Sequence, residues 1–395
     1  MTIQFRDPSF IQQHIQQLTD FYQQHAIDPQ GGFYQTLLPS GEHQQGPVKQ
    51  LVSSTRLTWV FATCGSQFKQ EGWLASAKHG LDYVKNQHFD AERGAYNWVM
   101  DDATPIEQEN YCYGLAFVLL MYAGALKAGL DGAKQGLNDT FELLEQRFWQ
   151  PDSGLYADQA SADWQNYSDY RGQNANMHAC EAMIAAFEAS GEQKYLDRAL
   201  LIAENICIRQ TQSTDGLIWE HYSQNWQVDW QYNKDDPKNL YRPWGFQPGH
   251  LTEWAKLLLL IYRHQAQPWL MIRAEALFNA AWTKAWDKDR GGLYYGFDPQ
   301  GNICDDDKYF WVQAESMVAA ALLAKTTGKE VYWQCYDQLW QYCWTHFCNQ
   351  QHQPWWRLLS ADNQVLDPTI ARPGAKIDYH TIGACLEILH VLTSE

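Results

Sequence analysis

Two hydrophobic patterns alternate along the chain and predict two kinds of helix. The first kind is apolar on one face and polar on the other, whereas the second kind is apolar nearly all round and rich in alanine, as expected of a buried helix. The pattern predicts polar-faced helices at residues 8–26, 71–88, 132–149, 192–210, 268–286 and 330–348. It predicts apolar helices at residues 53–65, 109–127, 175–190, 249–264, 310–327 and 378–392.

A turn containing glycine and aromatic residues follows each polar-faced helix, although the last of these turns is less regular. The turns are GGFY (31–34), GAYNW (94–98), SGLY (153–156), DGLIW (215–219), GGLYYG (291–296) and QPWW (353–356). The unit of helix, turn and helix recurs at roughly 55–70 residues, which is longer than the usual solenoid periods of about 34–47 residues. Six units with buried second helices fit two concentric rings. The sequence therefore predicts an all-α fold, a closed (α/α)6 barrel of six helical hairpins, in one domain spanning residues 1–395.

Composition and charge narrow the classes of function. The formal net charge is −17, which opposes binding to nucleic acid or to anionic membranes. Aromatic residues make up 14% of the chain, and they suit a site that stacks on the flat faces of sugars. The chain begins without a signal-peptide pattern, has no long apolar run, and carries nine cysteines without a CxxC pair. We expect a cytoplasmic protein with free thiols.

The stretch 241–262, YRPWGFQPGHLTEWAKLLLLIY, contains the first candidate for chemistry. A helix is predicted to begin at Pro248, which places His250 in the first turn and Glu253 three residues later on the same face. The positive end of the helix dipole disfavours imidazolium, so the ring stays available as a proton acceptor. One such pair on its own is equally well explained as a capping histidine with a dipole-stabilised glutamate.

The starts of the other apolar helices also carry polar residues. In a closed barrel these six starts converge at one end and line a common pocket. Burial of one such residue is common, but burial at the same position of six apolar helices indicates a ligand. The residues are Arg56, Tyr111, His178, His250, Gln313, Glu315 and His380.

A metal site is the first alternative for this set. His178 and His250 each begin an H-x-x-E sequence, but the second histidine of a zinc signature is absent, because Ala182 and Trp254 occupy the next positions. Three histidines from separate helices could still meet around an ion. The chain has no phosphate-binding loop of the G-x-x-x-x-G-K-[ST] type and no G-x-S-x-G nucleophile turn.

Two further alternatives are a glycoside hydrolase and a sugar-binding barrel without catalysis. Glu253 and Glu315 could serve as the acid and base of a hydrolase, since such barrels also hold carboxylate pairs. Several histidines at the mouth suit proton transfer at carbon better than protonation of a glycosidic oxygen. A binding protein would have no use for this many groups that titrate near pH 7.

Five segments resemble the N-acylglucosamine 2-epimerase superfamily over essentially the whole chain. They are SSTR ending at Arg56, NANMHACEA (174–182), RPWGFQPGHLTEW (242–254), KYFWVQAE (308–315) and DYHTIG (378–383). The third and fourth segments are most similar to the aldose–ketose isomerase branch. The resemblance implies the (α/α)6 barrel, no metal or other cofactor, and acid/base chemistry by His250 and His380. It also implies that further residues contact the sugar or orient the histidines: Arg56, Tyr111, Asn174, His178, Arg242, Glu253 and Trp311.

The reaction expected from this resemblance converts D-mannose to D-fructose through a cis-enediol. His380 would remove the proton at C2 and return it to C1, while His250, oriented by Glu253, would assist ring opening. Arg56 would stabilise the negative charge that develops on O1 and O2. Epimerisation at C2 on the same scaffold remains the alternative, since both outcomes use both histidines. The expected partner is a monosaccharide, and a monomer or homodimer is expected.

Overall fold

The computed structural model describes residues 3–38, 40–43, 46, 48–348, 354–366 and 378–394. Within these residues, twelve α-helices confirm all of the predicted helices. The polar-faced helices are α1 (Pro8–His25), α3 (Glu71–Tyr83), α5 (Ala133–Arg147), α7 (Gln193–Glu204), α9 (Pro268–Ala285) and α11 (Glu330–His346). The apolar helices are α2 (Leu51–Phe68), α4 (Cys112–Lys127), α6 (Gln173–Ser190), α8 (Pro248–His264), α10 (Phe310–Thr327) and α12 (Tyr379–Thr393).

Two of the polar-faced helices continue into a π-helical turn. After α3 and α7 the chain forms π-helical turns at Val84–His88 and Asn205–Arg209, and a short 3₁₀ turn follows at Gln210–Ser213. Each π turn directs a polar side chain inward. His88 Nδ1 lies 2.9 Å from Asn97 O, and Asn205 Nδ2 donates to Gly154 O at 3.0 Å. The π turn after α3 is thus attached to the glycine-aromatic turn that follows it, whereas the π turn after α7 is attached to the turn that precedes α7.

Short antiparallel strands, which the sequence pattern did not predict, lie in the connections. One sheet has the order β1 (Val48–Gln50), β4 (Val99–Asp101) and β5 (Thr104–Glu107). The other strands form pairs: β2 (Phe89–Asp90) with β3 (Ala95–Tyr96), β6 (Asn110–Tyr111) with β9 (Gln159–Ala160), β7 (Trp149–Gln150) with β8 (Leu155–Tyr156), β10 (Arg171–Gly172) with β11 (His221–Tyr222), β12 (Gly296–Phe297) with β13 (Ile303–Asp305), and β14 (Lys308–Tyr309) with β15 (Leu358–Leu359).

The apolar helices form the inner ring of the barrel. Each of α2, α4, α6, α8 and α10 packs against the next apolar helix, and α12 packs against both α10 and α2, which closes the ring. Each polar-faced helix packs outside this ring mainly against the apolar helix that precedes it in the chain, and α1 packs mainly on the last apolar helix, α12. None of the helices in the described residues is both long and apolar enough to cross a membrane.

Helix α1 fastens the first part of the chain to the last hairpin. Tyr22 donates from its hydroxyl to Asp378 Oδ2 at 2.9 Å, immediately before α12. Trp355 Nε1 donates to His14 Nε2 at 2.9 Å, and both side chains are buried. Arg6 forms an ion pair with Asp337 of α11 at 2.6 Å. The two ends of the chain are thus joined within the outer ring.

Two amide side chains on inner helices fix the turns before them. Asn176 accepts a hydrogen bond from Tyr156 N at 2.8 Å and donates to Tyr156 O at 3.0 Å. Gln313 does the same with Leu293 N and O, both at 2.9 Å. Gln313 therefore satisfies buried backbone groups of a glycine-aromatic turn and does not line the pocket, which corrects the expectation from sequence.

Candidate active site

The polar residues of the inner helices lie in layers along the barrel axis. The second, sixth and ninth residues of an α-helix share one face, because they are four and then three positions apart. The first layer, nearest the helix starts, contains Tyr113, Asn174, Trp311 and His380 at the second position of their helices, and His250 at the third position of α8. The second layer contains Arg56, Phe117, His178, Glu253 and Glu315, and the third contains Glu181 and Lys256.

His380 is held by a buried carboxylate. Its Nδ1 lies 2.7 Å from Glu315 Oε1, and both side chains are buried. Burial, followed by the cation of Arg56 and by His178, lowers the pKa of His380 well below its ordinary value. A neutral imidazole that donates its Nδ1 proton to Glu315 keeps a lone pair on Nε2. His380 is thus arranged as a proton acceptor at neutral pH.

His250 is held in the same way by a different carboxylate from the one expected. Its Nδ1 lies 2.9 Å from Glu220 Oε2, which also accepts a hydrogen bond from Gln173 Nε2 at 2.9 Å. The sequence analysis assigned this role to Glu253, and that assignment is wrong. His250 is the third residue of α8, and Glu253 lies one layer deeper, facing His178 and Lys256.

Trp311 lies between the two histidines. Its ring centroid is 5.1 Å from that of His250 and 5.5 Å from that of His380. Gly249 allows this approach, because a Cβ atom there would lie 2.5 Å from Trp311 Cζ3. Trp311 Nε1 and Asn174 Oδ1 are buried without a hydrogen-bond partner in the described residues. Both atoms are therefore available to hydroxyl groups of a ligand.

Arg56 supplies a fixed positive charge next to the histidines. Its guanidinium carbon lies 4.2 Å from the centre of the Phe117 ring and 4.8 Å from that of Tyr379. Nη2 donates to Tyr113 Oη at 3.0 Å. Stacking on two rings and a hydrogen bond to a third residue hold the planar cation in one orientation.

His178 and Glu253 form part of the pocket wall. His178 Nδ1 lies 3.1 Å from Glu181 Oε2, and burial lowers the pKa of His178 to about 4. Burial, together with the neighbouring Glu315, raises the pKa of Glu253 well above its ordinary value. Neither carboxyl oxygen of Glu253 has a hydrogen-bond partner in the described residues. Burial thus favours the protonated form of Glu253, in which the carboxyl group can donate to a ligand.

Tyr111 and Arg242 lie at the rim of the pocket. Gln159 Nε2 donates to Tyr111 Oη at 3.3 Å. Arg242 donates to Tyr232 Oη at 2.9 Å, and its guanidinium carbon stacks 4.0 Å from the centre of the Tyr170 ring. Burial raises the pKa of Tyr111 and the Arg242 cation opposes this rise, so the two groups lie in each other's electrostatic field.

The structure brings six of the nine predicted site residues into one cluster of side chains, which Arg56 joins through the rings of Phe117 and Tyr379. The six are Arg56, His178, His250, Glu253, Trp311 and His380. Asn174 lies one helical turn from His178, and Tyr111 and Arg242 lie at the rim. Sequence reasoning missed Glu220 and Lys256. Lys256 was detectable as a cation in the apolar middle of a helix, three residues after Glu253, whereas Glu220 carried no helical spacing that pointed to His250.

Some of these groups have the donor types of a metal site. Ligand atoms of Glu253, Glu315 and His380 lie within 4.8 Å of one another, and so do those of His178, Glu181 and Glu253. The Lys256 ammonium lies 2.8 Å from Glu315 Oε2 and 3.7 Å from Glu253 Oε1. The carboxylates of the first set therefore already have a cation from the chain itself.

Comparison with known proteins adds sequence and structural relatives. The profile of the N-acylglucosamine 2-epimerase (GlcNAc 2-epimerase) family matches residues 31–384. A D-mannose isomerase from Marinomonas mediterranea is 46% identical over 390 residues, which are 98% of this chain and 98% of that protein. The crystal structure of a D-mannose isomerase is similar with a TM-score of 0.97 at 45% identity, covering 99% of this chain and 100% of that chain.

A more distant relative shares the fold alone. The structure of cellobiose 2-epimerase from Bacillus thermoamylovorans is similar with a TM-score of 0.86 at 18% identity, covering 97% of this chain and 99% of that chain. Together with the similarity to the D-mannose isomerase structure, this likeness confirms the predicted (α/α)6 barrel.

Proposed function

Because the chain belongs to the N-acylglucosamine 2-epimerase family, we propose that it is an aldose–ketose isomerase that interconverts D-mannose and D-fructose. The proposal is supported by 46% identity to a D-mannose isomerase over nearly the full length of both chains. The structural observation that carries it is the pair of imidazoles, His250 and His380. Each is bonded at Nδ1 to a buried carboxylate, and each lies beside the ring of Trp311.

Proton transfer at carbon is the step that this pair would perform. The hydrogen at C2 of an open-chain aldose is acidic because the adjacent C1 carbonyl takes up the charge, so a positioned base and nearby donors are sufficient. In our proposal, Nε2 of His380 takes the C2 proton while O1 gains a proton, and the cis-enediol forms. The same nitrogen then returns a proton to C1 while O2 loses its proton, which yields the ketose. His250 would carry the proton between O2 and O1.

The other residues would bind the sugar and stabilise charge. His250, oriented by Glu220, would move protons between the ring oxygen and the hydroxyl groups during ring opening. Arg56 would face O1 and O2 as they become negative, since its guanidinium is fixed by stacking. The neutral carboxyl of Glu253 would donate a hydrogen bond to a sugar oxygen.

Asn174, His178, Arg242, Tyr111 and Trp311 would complete the binding site. Trp311 Nε1 and Asn174 Oδ1 have unused hydrogen-bonding capacity, and Tyr111 and Arg242 stand at the rim. We propose His178 as a wall residue whose bond to Glu181 keeps its other nitrogen directed to the ligand.

A glycoside hydrolase is disfavoured by the state of the carboxylates. Glu315 is bonded to His380 and paired with Lys256, so it is not free to activate water or attack a sugar. Glu253 has a raised pKa, as an acid would need. The neighbouring carboxylates of Glu181 and Glu315, however, are each already bonded to a histidine and paired with Lys256.

The proposal is tested by incubating the protein with D-mannose in deuterated water, with and without EDTA, and following the sugars by NMR. We expect fructose as the main initial product in both cases. His380→Ala should give no detectable fructose, although its circular dichroism spectrum should match that of the wild type. Glucose as the main initial product, or faster reaction of N-acetylmannosamine than of mannose, would instead identify a 2-epimerase. Activity that EDTA removes and a divalent ion restores would contradict the metal-free mechanism.

A further inference from the structure

Lys256 is a buried lysine in the core of the barrel that the proposed reaction does not use. It is the ninth residue of α8, and its side chain is 9% exposed. Burial alone would lower the pKa of its ammonium, but the carboxylates of Glu181, Glu315 and Glu253 raise that pKa well above its usual value. Lys256 is therefore a permanent cation two helical turns below His250.

The ammonium contacts carboxyl groups from three different helices. It lies 3.1 Å from Glu181 Oε1 on α6, 2.8 Å from Glu315 Oε2 on α10 and 3.7 Å from Glu253 Oε1 on its own helix. The opposite oxygen of Glu315 is the one bonded to His380 Nδ1, at 2.7 Å. A continuous chain of contacts therefore runs from Lys256 through Glu315 to His380.

We propose that Lys256 is a positioning residue for His380, an inference that rests on the proposed function. Its ammonium holds Glu315 as an ionised carboxylate, and Glu315 in turn fixes the Nδ1–H tautomer of His380. Nε2 of His380 is then left free to take the proton from carbon. Without the cation, the pKa values of Glu315 and His380 would rise. Nε2 of His380 would then be free to accept a proton over a narrower pH range.

Electrostatics support this assignment. Burial raises the pKa of Glu315, and Lys256 is the largest influence that opposes this rise. Lys256 also lowers the pKa values of Glu181, Glu253 and His380. Removal of one positive charge would therefore move every one of these groups in the same direction, toward protonation at higher pH.

The other ionisable groups around Lys256 and Glu315 come from every neighbouring inner helix. They are Arg56, Tyr113, His178, Glu181, Glu253 and Tyr379. The cations of Arg56 and Lys256 face the carboxyl groups of Glu181, Glu253 and Glu315. The charge balance of the site therefore depends on Lys256.

Two other buried lysines have the contacts typical of a structural role. Lys49 pairs with Asp28 at 2.7 Å, and Lys308 pairs with Asp287 at 2.8 Å. Lys308 also donates to the backbone carbonyls of Gly291 and Ala361, so it secures turns. In the described part of the chain, the polar contacts of Lys256 are to carboxyl groups beside the candidate base.

The experiment compares Lys256→Met with the matched control Lys49→Met, using the pH dependence of kcat/KM for D-mannose. We expect the acid limb of the profile to move to higher pH by about 1–3 units in Lys256→Met, because a neighbouring cation lowers pKa values by that amount. In Lys49→Met the limb stays in place although the protein is less stable. Lys256→Gln, which also lacks the charge, serves if the methionine variant does not fold.

A second readout does not require turnover. The ¹⁵N shifts of histidines in the substrate-free protein report the tautomer and titration of His380, with the signal assigned through His380→Asn. We expect His380 to be the neutral Nδ1–H form near pH 7 in the wild type and to gain a proton at higher pH in Lys256→Met. An unchanged acid limb and an unchanged His380 titration, with only a loss of stability or kcat, would overturn the proposal. If the titration shifts but wild-type protein converts no mannose, the positioning role stands and the proposed function fails.

Discussion

At the scale of the residue, the site consists of two imidazoles whose buried carboxylate partners decide which nitrogen carries the proton. Glu315 fixes His380 and Glu220 fixes His250 through Nδ1. A carboxylate that accepts the Nδ1 proton leaves Nε2 as the acceptor, so both rings present a basic nitrogen. Burial keeps His380 neutral at neutral pH, as the base at carbon must be.

The first prediction concerns these two histidines. His380→Ala and His250→Ala are each expected to lower kcat for D-mannose by about 10²–10⁴, because a positioned acid or base contributes that much. Circular dichroism and the unfolding midpoint should show that both variants remain folded. Near wild-type turnover by either variant would contradict the assignment.

The second prediction separates the observed partner of His250 from the one that the sequence suggested. Glu220→Gln removes the charge from a hydrogen bond worth about 1.5–3 kcal/mol, which corresponds to about 10- to 150-fold in kcat. The KM for mannose should change little, since Glu220 acts through His250. The surface variant Glu192→Gln is the control, and an unchanged kcat in Glu220→Gln would show that His250 needs no carboxylate there.

For the helices, the alternation of polar-faced and apolar members was predicted from the sequence alone. His380, Glu315 and Arg56 lie near the starts of three different apolar helices, and their meeting was predicted from the convergence of those starts at one end of a closed barrel. Glu220 did not follow from it, because it lies in a connection and reaches His250 only through tertiary packing. Gln313 was misassigned because spacing alone does not distinguish a pocket residue from one that satisfies a turn.

The third prediction tests how the inner helices secure the turns. Asn176→Ala leaves the buried N–H and C=O groups of Tyr156 without their partner, at a cost of about 1–3 kcal/mol for each group. The free energy of unfolding, measured with denaturant, should fall accordingly, while the pH profile of activity stays unchanged. Gln193→Ala, whose amide bonds the exposed Asp197, should change stability by no more than about 0.5 kcal/mol. Equal effects of the two variants would show that the turn does not depend on Asn176.

At the scale of the whole molecule, the barrel is closed by contacts between the two ends of the chain. The number of hairpins predicted a closed ring, but the sequence carried no sign of which residues join α1 to the last hairpin. His14 and Trp355 are 341 positions apart and share a buried hydrogen bond. The periodicity of hydrophobic positions does not predict such a pair, because each partner fits the pattern of its own segment.

The fourth prediction uses this joint to measure stability against pH. Burial lowers the pKa of His14 to about 4 from an ordinary value of 6.5, so the unfolded chain takes up a proton first as the pH falls. The stability that neutral His14 contributes is therefore present above pH 6.5 and is lost as the pH falls toward 4. Between pH 7 and 5 the wild type should lose about 2 kcal/mol more than His14→Phe, as measured by denaturant unfolding. Parallel pH dependences of the two proteins would show that His14 is not held neutral.

In the proposed reaction one base on one face of the sugar carries a hydrogen from C2 to C1, and D-mannose deuterated at C2 shows whether this transfer occurs. The substrate is converted in ordinary water, and the initial products are examined by ²H and ¹³C NMR. We predict fructose that carries part of the deuterium at C1, because transfer of the deuteron from His380 to C1 competes with its exchange against solvent. Glucose as the main initial product, with a solvent hydrogen at C2, would contradict it, since that outcome requires a second acid on the opposite face.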